Sequence, residues 1–140
     1  MTPLLSVVVP VYNGGPSIVE NIEAIRAAVA GPLGDEPFEL VVVSDGSIDG
    51  TAERLLAERI DGVRVLHYDR NLGKGYAVKA GILASRGAWV GLCDADLDLD
   101  PAALPRYLRV AQQEGLDLVI GSNLHPSSIV DYPPSPSNRS

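Results

Sequence analysis

Four aspartates stand at alternate positions in the segment VGLCDADLDLDP, which covers residues 90–101. They are Asp94, Asp96, Asp98 and Asp100, and an apolar run leads directly into them. Like charges at this spacing repel one another and cost folding free energy unless something offsets the repulsion. On a strand extension, alternate aspartates could all face water. Their hard oxygen atoms could equally bind a divalent cation such as Mg²⁺ or Mn²⁺, which would offset the repulsion.

Two more specific interpretations of the aspartate row fit the sequence poorly. A calcium loop of the EF-hand type needs glycine at its sixth position and glutamate at its twelfth, whereas Leu99 and Pro105 stand there. A phosphatase with an aspartate nucleophile carries Asp-x-Asp after its first strand, followed by threonine or valine. Here the row follows the fourth apolar run that predicts a strand, and Asp98 stands at that position. A solvated extension and a metal–diphosphate site remain as the alternatives.

The segment NLGKG, residues 71–75, precedes a predicted helix. Its glycines would let backbone N–H groups approach an anion, and Lys74 adds a positive charge. The segment does not match a Walker loop, because Gly75 stands where serine or threonine is needed. By itself it could be either the start of a helix or a phosphate-binding loop.

The elements that would position these residues are short apolar runs that alternate with helical patterns. The apolar runs predict five strands, at residues 4–10, 38–44, 63–68, 88–93 and 116–122. Four helices are predicted. The first follows Pro16, has the apolar face Ile18, Ile22, Ile25 and Val29, and breaks at residues 31–37; the second covers residues 52–60, with Asp49 and Thr51 available as caps. The third covers residues 76–85, and the fourth starts at Pro101 with the apolar residues Leu104, Leu108 and Ala111. This alternation implies an α/β fold with a mostly parallel sheet and helices on both faces.

Polar residues collect after the predicted strands, at the edge where open α/β sheets bind ligands. The first strand is followed by Pro10, Tyr12 and Asn13; the second by Ser44, Asp45, Gly46 and Ser47; the third by Asp69, Arg70, Asn71 and Lys74; and the fourth by the aspartate row. One edge thus collects an aromatic ring, carboxylates, a glycine-rich turn and a lysine. A nucleotide diphosphate with a divalent metal would use such a set.

Composition limits the classes of function. The formal net charge of -7 argues against broad binding to nucleic acid or to anionic lipid, although it leaves room for a local basic site. The single cysteine, Cys93, suits a reducing compartment. The chain has no signal-peptide pattern at its start and no apolar run of the roughly 18 residues that suggest a membrane span. We therefore expect a cytoplasmic protein.

The chain changes character near residue 122. Residues 1–122 form one predicted domain, whereas residues 123–140 are rich in proline and serine and offer little to bury. We expect this second part to be a poorly ordered tail.

Taken together, the segments VVVPVYN, VVVSDGSIDGT, RNLGKGYAVKAGILASRGAWVGLCDADLDLDP and DLVIGS resemble the GT-A family 2 glycosyltransferases. Within that family the chain is most similar to the polyprenyl- or dolichyl-phosphate mannosyl- and glucosyltransferases. Each motif is weak alone, but four in this order are specific. The resemblance implies a Rossmann-like GT-A nucleotide-binding fold and transfer of a hexose, with inversion, from GDP-mannose or UDP-glucose to a polyprenyl or dolichyl phosphate. It also implies a peripheral position at the cytoplasmic membrane face.

The resemblance implies roles for the residues that contact the nucleotide. Pro10, Tyr12 and Asp45 match positions that hold the base and ribose. Lys74 matches a loop near the nucleotide sugar. Asp94 matches the first aspartate of the D-x-D motif, which reaches the ribose or the metal shell.

The resemblance likewise implies a site for Mg²⁺ or Mn²⁺. Asp94 and Asp96 match the D-x-D motif, and Asp96 is the expected catalytic metal ligand. Asp98 falls where the family often has a further polar metal contact. Asp100, just before Pro101, is more typical of a helix N-cap.

Three positions depart from the family pattern. Gly14 stands where an acidic residue is usual, Ser44 replaces one aspartate of Asp-Asp-Gly-Ser, and Asn123 replaces a common cation after Gly-Ser. The similarity ends before the family's acceptor-side segment. We therefore expect the donor-binding half to be present and transfer by this chain alone to be weak or absent. The alternative is a non-catalytic nucleotide-sugar-binding fragment or a degenerate homologue.

Overall fold

The computed structural model describes residues 2–96 and 101–114. Its sheet has four parallel strands in the order β3-β2-β1-β4. The strands are β1 (Leu5–Val11), β2 (Phe38–Asp45), β3 (Val63–Tyr68) and β4 (Trp89–Leu92). The helices are α1 (Ile18–Leu33), α2 (Thr51–Glu58), α3 (Lys74–Ala84) and α4 (Ala103–Glu114). The predicted α/β fold with a parallel sheet is thus confirmed for the first four strands and the four helices.

Helix boundaries differ from the prediction by one to three residues, among them the end of α1 and the start of α3. The break expected at residue 31 is wrong, because α1 continues through Pro32 to Leu33. Leu33 lies four residues after Val29 on the same apolar face and is only 4% exposed, so its burial offsets the unfavourable proline. Gly34, with φ of 65°, then ends the helix. The loop predicted up to Gly75 is also too long, since α3 already begins at Lys74.

The two faces of the sheet are covered differently. On one face, α1 and α4 pack with Leu55 of α2 against alternate residues of β1 and β2. On the other face, Ala77 of α3 packs against Val8, Val41 and Val43. The predicted α1 face of Ile18, Ile22, Ile25 and Val29 is fully buried, as are Leu104 and Leu108 of α4.

A buried polar cluster fastens the edge where the strands begin. The Glu39 carboxylate accepts hydrogen bonds from the Ser6 hydroxyl (2.6 Å), from the Arg64 Nε (3.1 Å) and from the backbone N–H of Arg86 (2.8 Å). Arg64 also donates to the carbonyl of Ala84 at the end of α3. The cluster ties three strands to the connection between α3 and β4.

The order of the strands leaves a crevice between β1 and β4. The chain moves from β1 outward to β2 and β3, then crosses back to β4 on the other side of β1. Pairing of β1 with β4 ends at Val8 and Leu92, after which the Cys93 N–H donates to the Val8 carbonyl. The backbone of Pro10 faces the β4 side of β1, as the backbone of Val8 does. Because β4 has ended at this level, the N–H that proline lacks leaves no β4 carbonyl without its partner. Such a reversal point is where open α/β sheets bind ligands.

Several predictions lie outside the described residues. These are the fifth strand at residues 116–122, the domain boundary at residue 122, the tail at 123–140, and the roles of Asp98, Asp100 and Asn123. The side chain of Ala111 is likewise not described.

Candidate nucleotide-binding site

A cavity of about 240 Å³ opens at the carboxyl ends of the strands. Its lining includes all five residues predicted to contact a nucleotide: Pro10, Tyr12, Asp45, Lys74 and Asp94. They come from β1 and the loop after it, from β2, from α3 and from the segment after β4, so the fold brings together residues up to 84 positions apart in the chain (10 to 94). Asn71, Gly73 and Ala77 complete the wall on the α3 side.

Asp45 lines this cavity, and four donors surround its carboxylate. It is 4% exposed. It accepts hydrogen bonds from the Tyr68 hydroxyl (2.6 Å) and from the backbone N–H groups of Leu72 (2.9 Å) and Gly73 (3.0 Å). The Asn71 side-chain amide donates to it at 3.2 Å. Asp45 therefore fixes the loop that leads into α3 and so positions Lys74.

Gly46 permits the loop after β2 to approach the loop that leads from β3 into α3. Its φ is +69°, and a Cβ atom on it would lie 2.3 Å from the backbone of Arg70 and of Asn71. Only glycine fits this position, because both the backbone conformation and the contact exclude a side chain. The glycine of the Asp-Gly-Ser segment is thus a requirement of packing as well as of the turn.

The loop after β1 is fastened by the loop after β2. Asn13, with φ of 51°, accepts a hydrogen bond from the Ile48 N–H at 2.9 Å, and its own N–H donates to the Ser47 hydroxyl. The N–H groups of the next two residues donate to Thr51 Oγ1 (2.9 Å) and Asp49 Oδ2 (2.9 Å). These contacts hold Tyr12 at the mouth of the cavity.

Neither Asp49 nor Thr51, which the sequence offers as caps of α2, stands at the N-cap position. The N-cap position is Gly50, in a left-handed conformation. Asp49 does accept the Thr51 N–H at 3.1 Å, but its second oxygen binds the loop after β1. The hydrogen bond from the Thr51 hydroxyl is the main reason that the pKa of Asp49 lies below its ordinary value.

A second cavity of about 580 Å³ adjoins the first and shares Pro10, Tyr12, Lys74 and Asp94 with it. Asp96 lines this larger cavity together with Asp94. Lys74 Nζ lies 2.9 Å from Asp94 Oδ1. The two described carboxylates of the aspartate row thus face one space, beside a lysine.

The segment that carries these aspartates is anchored to α1. The Asn21 side-chain amide donates a 3.1 Å hydrogen bond to the Ala95 carbonyl, between the two aspartates. Cys93 is buried just before them, and burial, followed by the charges of Asp94 and Asp96, raises the pKa of its thiol to about 12.

Sequence reasoning missed several side chains that hold the loops of the site in place. Tyr68, Asn71 and Asn21 received no role, although each holds a loop of the site in place. The only signal in the sequence was that Asn13 and Asn71 follow strands. Ser44, noted as a departure, is 1% exposed and hydrogen-bonds with Ser47 at 2.9 Å.

The fold recurs among solved glycosyltransferases. The chain is similar to the mannosyltransferase PcManGT from Pyrobaculum calidifontis, solved in complex with GDP-Man and Mn²⁺, with a TM-score of 0.61 and 27% sequence identity. The similarity covers 79% of this chain and 33% of that chain. The fold is therefore of the GT-A class.

Sequence comparison places the chain within a family of that class. A model of glycosyl transferase family 2 matches residues 6–138, so the chain belongs to this family. It is 44% identical over 120 residues to the undecaprenyl-phosphate 4-deoxy-4-formamido-L-arabinose transferase of Pseudomonas paraeruginosa, covering 83% of this chain and 34% of the relative. It is 32% identical over 120 residues to the dodecaprenyl-phosphate galacturonate synthase of Rhizobium johnstonii, covering 84% and 35%. The chain spans about a third of the length of these relatives.

Proposed function

We propose that this chain binds a nucleotide diphosphate sugar and forms the donor side of an inverting glycosyltransferase whose acceptor is a polyprenyl or dolichyl phosphate. One observation carries the proposal: residues from four segments line two adjoining cavities at the crevice between β1 and β4. The larger cavity is lined by the carboxylates of Asp94 and Asp96 and by Lys74, and the smaller cavity is lined by the buried Asp45. The names of the Pseudomonas and Rhizobium relatives, both prenyl-phosphate sugar transferases, support the class of acceptor.

The smaller cavity is the proposed site of the base and ribose. Tyr12 is 51% exposed at its mouth, so its ring is free to pack against a planar base. Asp45 and Asn71 supply polar groups at the back, and Pro10 lines the wall without an N–H that would need a partner. GDP-mannose and UDP-glucose are the candidate donors.

The larger cavity is the proposed site of the diphosphate and a divalent metal. Mg²⁺ is usually held by one or two carboxylates together with substrate phosphates. Among the residues that the structure describes, no three His, Cys, Asp or Glu side chains form a complete metal site. Asp94 and Asp96 supply two carboxylates to one cavity, which fits a metal completed by the diphosphate, and Asp98 is the proposed further ligand. A bound metal would stabilise the negative charge that builds on the departing diphosphate.

Lys74 is the proposed contact to the diphosphate. Its side chain is 63% exposed, Lys74 lines both cavities, and its Nζ atom lies 2.9 Å from Asp94 Oδ1. A phosphate oxygen that enters this space would meet both the lysine and the start of α3.

The acceptor's chemistry reduces what the protein must supply. A lipid phosphate monoester is anionic at neutral pH, so it needs less help from a general base than an alcohol would. The main task is to orient the sugar and to stabilise the leaving diphosphate, which the proposed donor site does.

Calorimetric titration of GDP, UDP, GDP-mannose and UDP-glucose in the presence of Mn²⁺ tests the donor site. We expect one nucleotide to bind in the micromolar range, and Lys74→Ala to weaken it about tenfold or more. Lys79→Ala, which removes an exposed lysine five residues further along α3 and outside both cavities, is the matched control. Failure of all four ligands to bind would refute the proposal.

Transfer of labelled sugar to a polyprenyl phosphate then tests the reaction. Product formation supports the enzyme. Donor binding without transfer favours the second candidate, a non-catalytic nucleotide-sugar-binding module, which Asn123 supports because it removes a cation that could hold a phosphate.

A further inference from the structure

Helix α3 is apolar on both sides. Its inner face packs small residues against the sheet, among them the buried Ala77 and Gly81. Its outer face, continued from the preceding loop, exposes large apolar side chains: Leu83 at 76%, Tyr76 at 51%, Leu72 at 45% and Ile82 at 38%. These four side chains, with Lys79 among them, form what we call the α3 outer face. A helix that is apolar all round is typically buried against something on each side.

The charge of this region is opposite to that of the chain. Residues 70–93 contain Arg70, Lys74, Lys79 and Arg86 but no acidic residue, in a chain of net charge -7. Lys74 turns into the donor site, whereas Lys79 is exposed on the outer face and Arg70 and Arg86 are exposed beyond the two ends of the helix.

Two of the other three helices differ in this respect, whereas α4 also exposes two arginines, Arg106 and Arg109. Exposed glutamates lie on α1, at Glu20 and Glu23, and on α2, at Glu53 and Glu58. The exposed glutamates of α1 and α2 thus lie on the opposite side of the sheet from α3. A local basic and apolar face is compatible with a net negative chain, because salt screens charges that are more than about 8–10 Å apart.

We infer that the α3 outer face binds the surface of an anionic lipid bilayer. Leucine, isoleucine and tyrosine side chains would enter the boundary between headgroups and acyl chains, and Lys79 with the flanking arginines would contact anionic headgroups. The face is an eleven-residue helix, about 16 Å long and about 10 Å wide. That area is small against the roughly 800 Å² per partner of a stable protein interface, whereas a membrane surface needs only a few inserted side chains.

This surface is distinct from the donor site, and the inference does not depend on nucleotide binding. It gives the proposed reaction an orientation, since a lipid phosphate acceptor lies in the same membrane. Tyr76 also packs edge-on against Tyr68, with 5.4 Å between ring centroids, and Tyr68 binds Asp45. The outer face is therefore joined to the donor site by two direct contacts.

Co-sedimentation of the 140-residue chain with vesicles tests the inference, without nucleotide or polyprenyl phosphate. We compare phosphatidylcholine vesicles with vesicles that also contain about 30% phosphatidylglycerol. The chain is expected to bind the anionic vesicles about tenfold more tightly, and to lose this preference in high salt. Leu83→Glu is expected to weaken binding about tenfold or more, and Lys79→Gln by a smaller factor.

Matched controls lie on the other helices. Leu56→Glu changes a leucine of α2 that is 44% exposed, and Arg109→Gln changes an exposed arginine of α4; both should bind vesicles as the unmodified chain does.

Equal binding to neutral and anionic vesicles, or equal loss in Leu56→Glu and Leu83→Glu, would overturn the inference. So would sedimentation velocity that shows a dimer which Leu83→Glu dissociates, because a second copy would then cover the face. Lys79→Gln keeps the test open if Leu83→Glu does not fold. Loss of nucleotide binding in a chain that still binds vesicles would refute only the proposed function.

Discussion

The Tyr68 hydroxyl donates a 2.6 Å hydrogen bond to the carboxylate of Asp45. The two residues end neighbouring strands, β3 and β2, where their Cα atoms are partners in the sheet. Their bond completes the set of donors around the buried aspartate, which lines the smaller cavity. A structural bond at this place affects both the stability of the fold and the shape of the proposed base site.

Tyr68→Phe is expected to lower the free energy of unfolding by about 1–2 kcal/mol at neutral pH, because it leaves Asp45 short of one donor. Burial, then the hydrogen bond to Asp45 and its charge, raise the pKa of Tyr68 above its ordinary 10.0. The stabilising contribution is therefore complete below pH 10 and is lost as the pH rises further. The free energy of unfolding, measured by chemical denaturation across alkaline pH, should depend less on pH in Tyr68→Phe than in Tyr76→Phe. Tyr76→Phe is the control because it retains the Tyr68 hydroxyl and the contact between the two rings. Identical pH profiles of unfolding in the two variants would contradict the stabilising role of the Tyr68–Asp45 hydrogen bond.

Gly81 and Gly75 lie in the same helix and should respond oppositely to alanine. A Cβ atom on Gly81 would lie 2.3 Å from Val8 Cγ1, whereas one on Gly75 meets nothing within 4 Å. Gly81→Ala should destabilise the fold by about 1–3 kcal/mol through overpacking, and Gly75→Ala should stabilise it by up to about 1 kcal/mol through helix propensity. Thermal unfolding measures both, and a stable Gly81→Ala would mean that α3 is packed less closely than described.

Glu39 should make stability depend on acid pH. Burial alone would raise its pKa, but the hydrogen bonds from Ser6, the Arg86 N–H and Arg64 outweigh burial, so the pKa lies below its ordinary 4.5. The stabilising contribution is thus present above about pH 4.5 and is lost as the pH falls through the lowered value.

Denaturant titrations between neutral and acid pH measure this effect. Glu39→Gln should be less stable at neutral pH and should lose less stability on acidification. Glu36→Gln, an exposed change just before β2, should behave like the unmodified chain. A pH profile unchanged by Glu39→Gln would show that the cluster does not couple to folding.

The sequence predicts the elements well because their signals are local. Continuous β-branched runs identify β1 and β2, and the spacing of Ile18, Ile22, Ile25 and Val29 identifies the buried face of α1. The rule that ligands bind beyond the carboxyl ends of parallel strands then predicts that Asp45 and Lys74 lie at one site. The predicted end of α1 is wrong because it follows from the glycines and prolines of residues 31–37, whereas the burial of Leu33 depends on packing across the core.

The contacts that fix the site are not local, so the sequence does not show them. Asp45 binds groups 23–28 residues away in the chain. Asp49, a reasonable helix cap from its position, also holds the loop after β1 because the fold places that loop beside it. Such bonds depend on the register of neighbouring strands, which the hydrophobic pattern leaves open.

The central claim, that Asp94 and Asp96 help to bind a metal–nucleotide complex, is tested most directly by calorimetric titration of the preferred nucleotide with and without Mn²⁺. The unmodified chain should bind about tenfold or more tightly with the metal. Asp96→Asn, which keeps the shape but removes the charge, should lose this enhancement, while Asp61→Asn, an exposed change just before β3, should keep it. Equal enhancement by Mn²⁺ in Asp96→Asn and in the unmodified chain would contradict the claim.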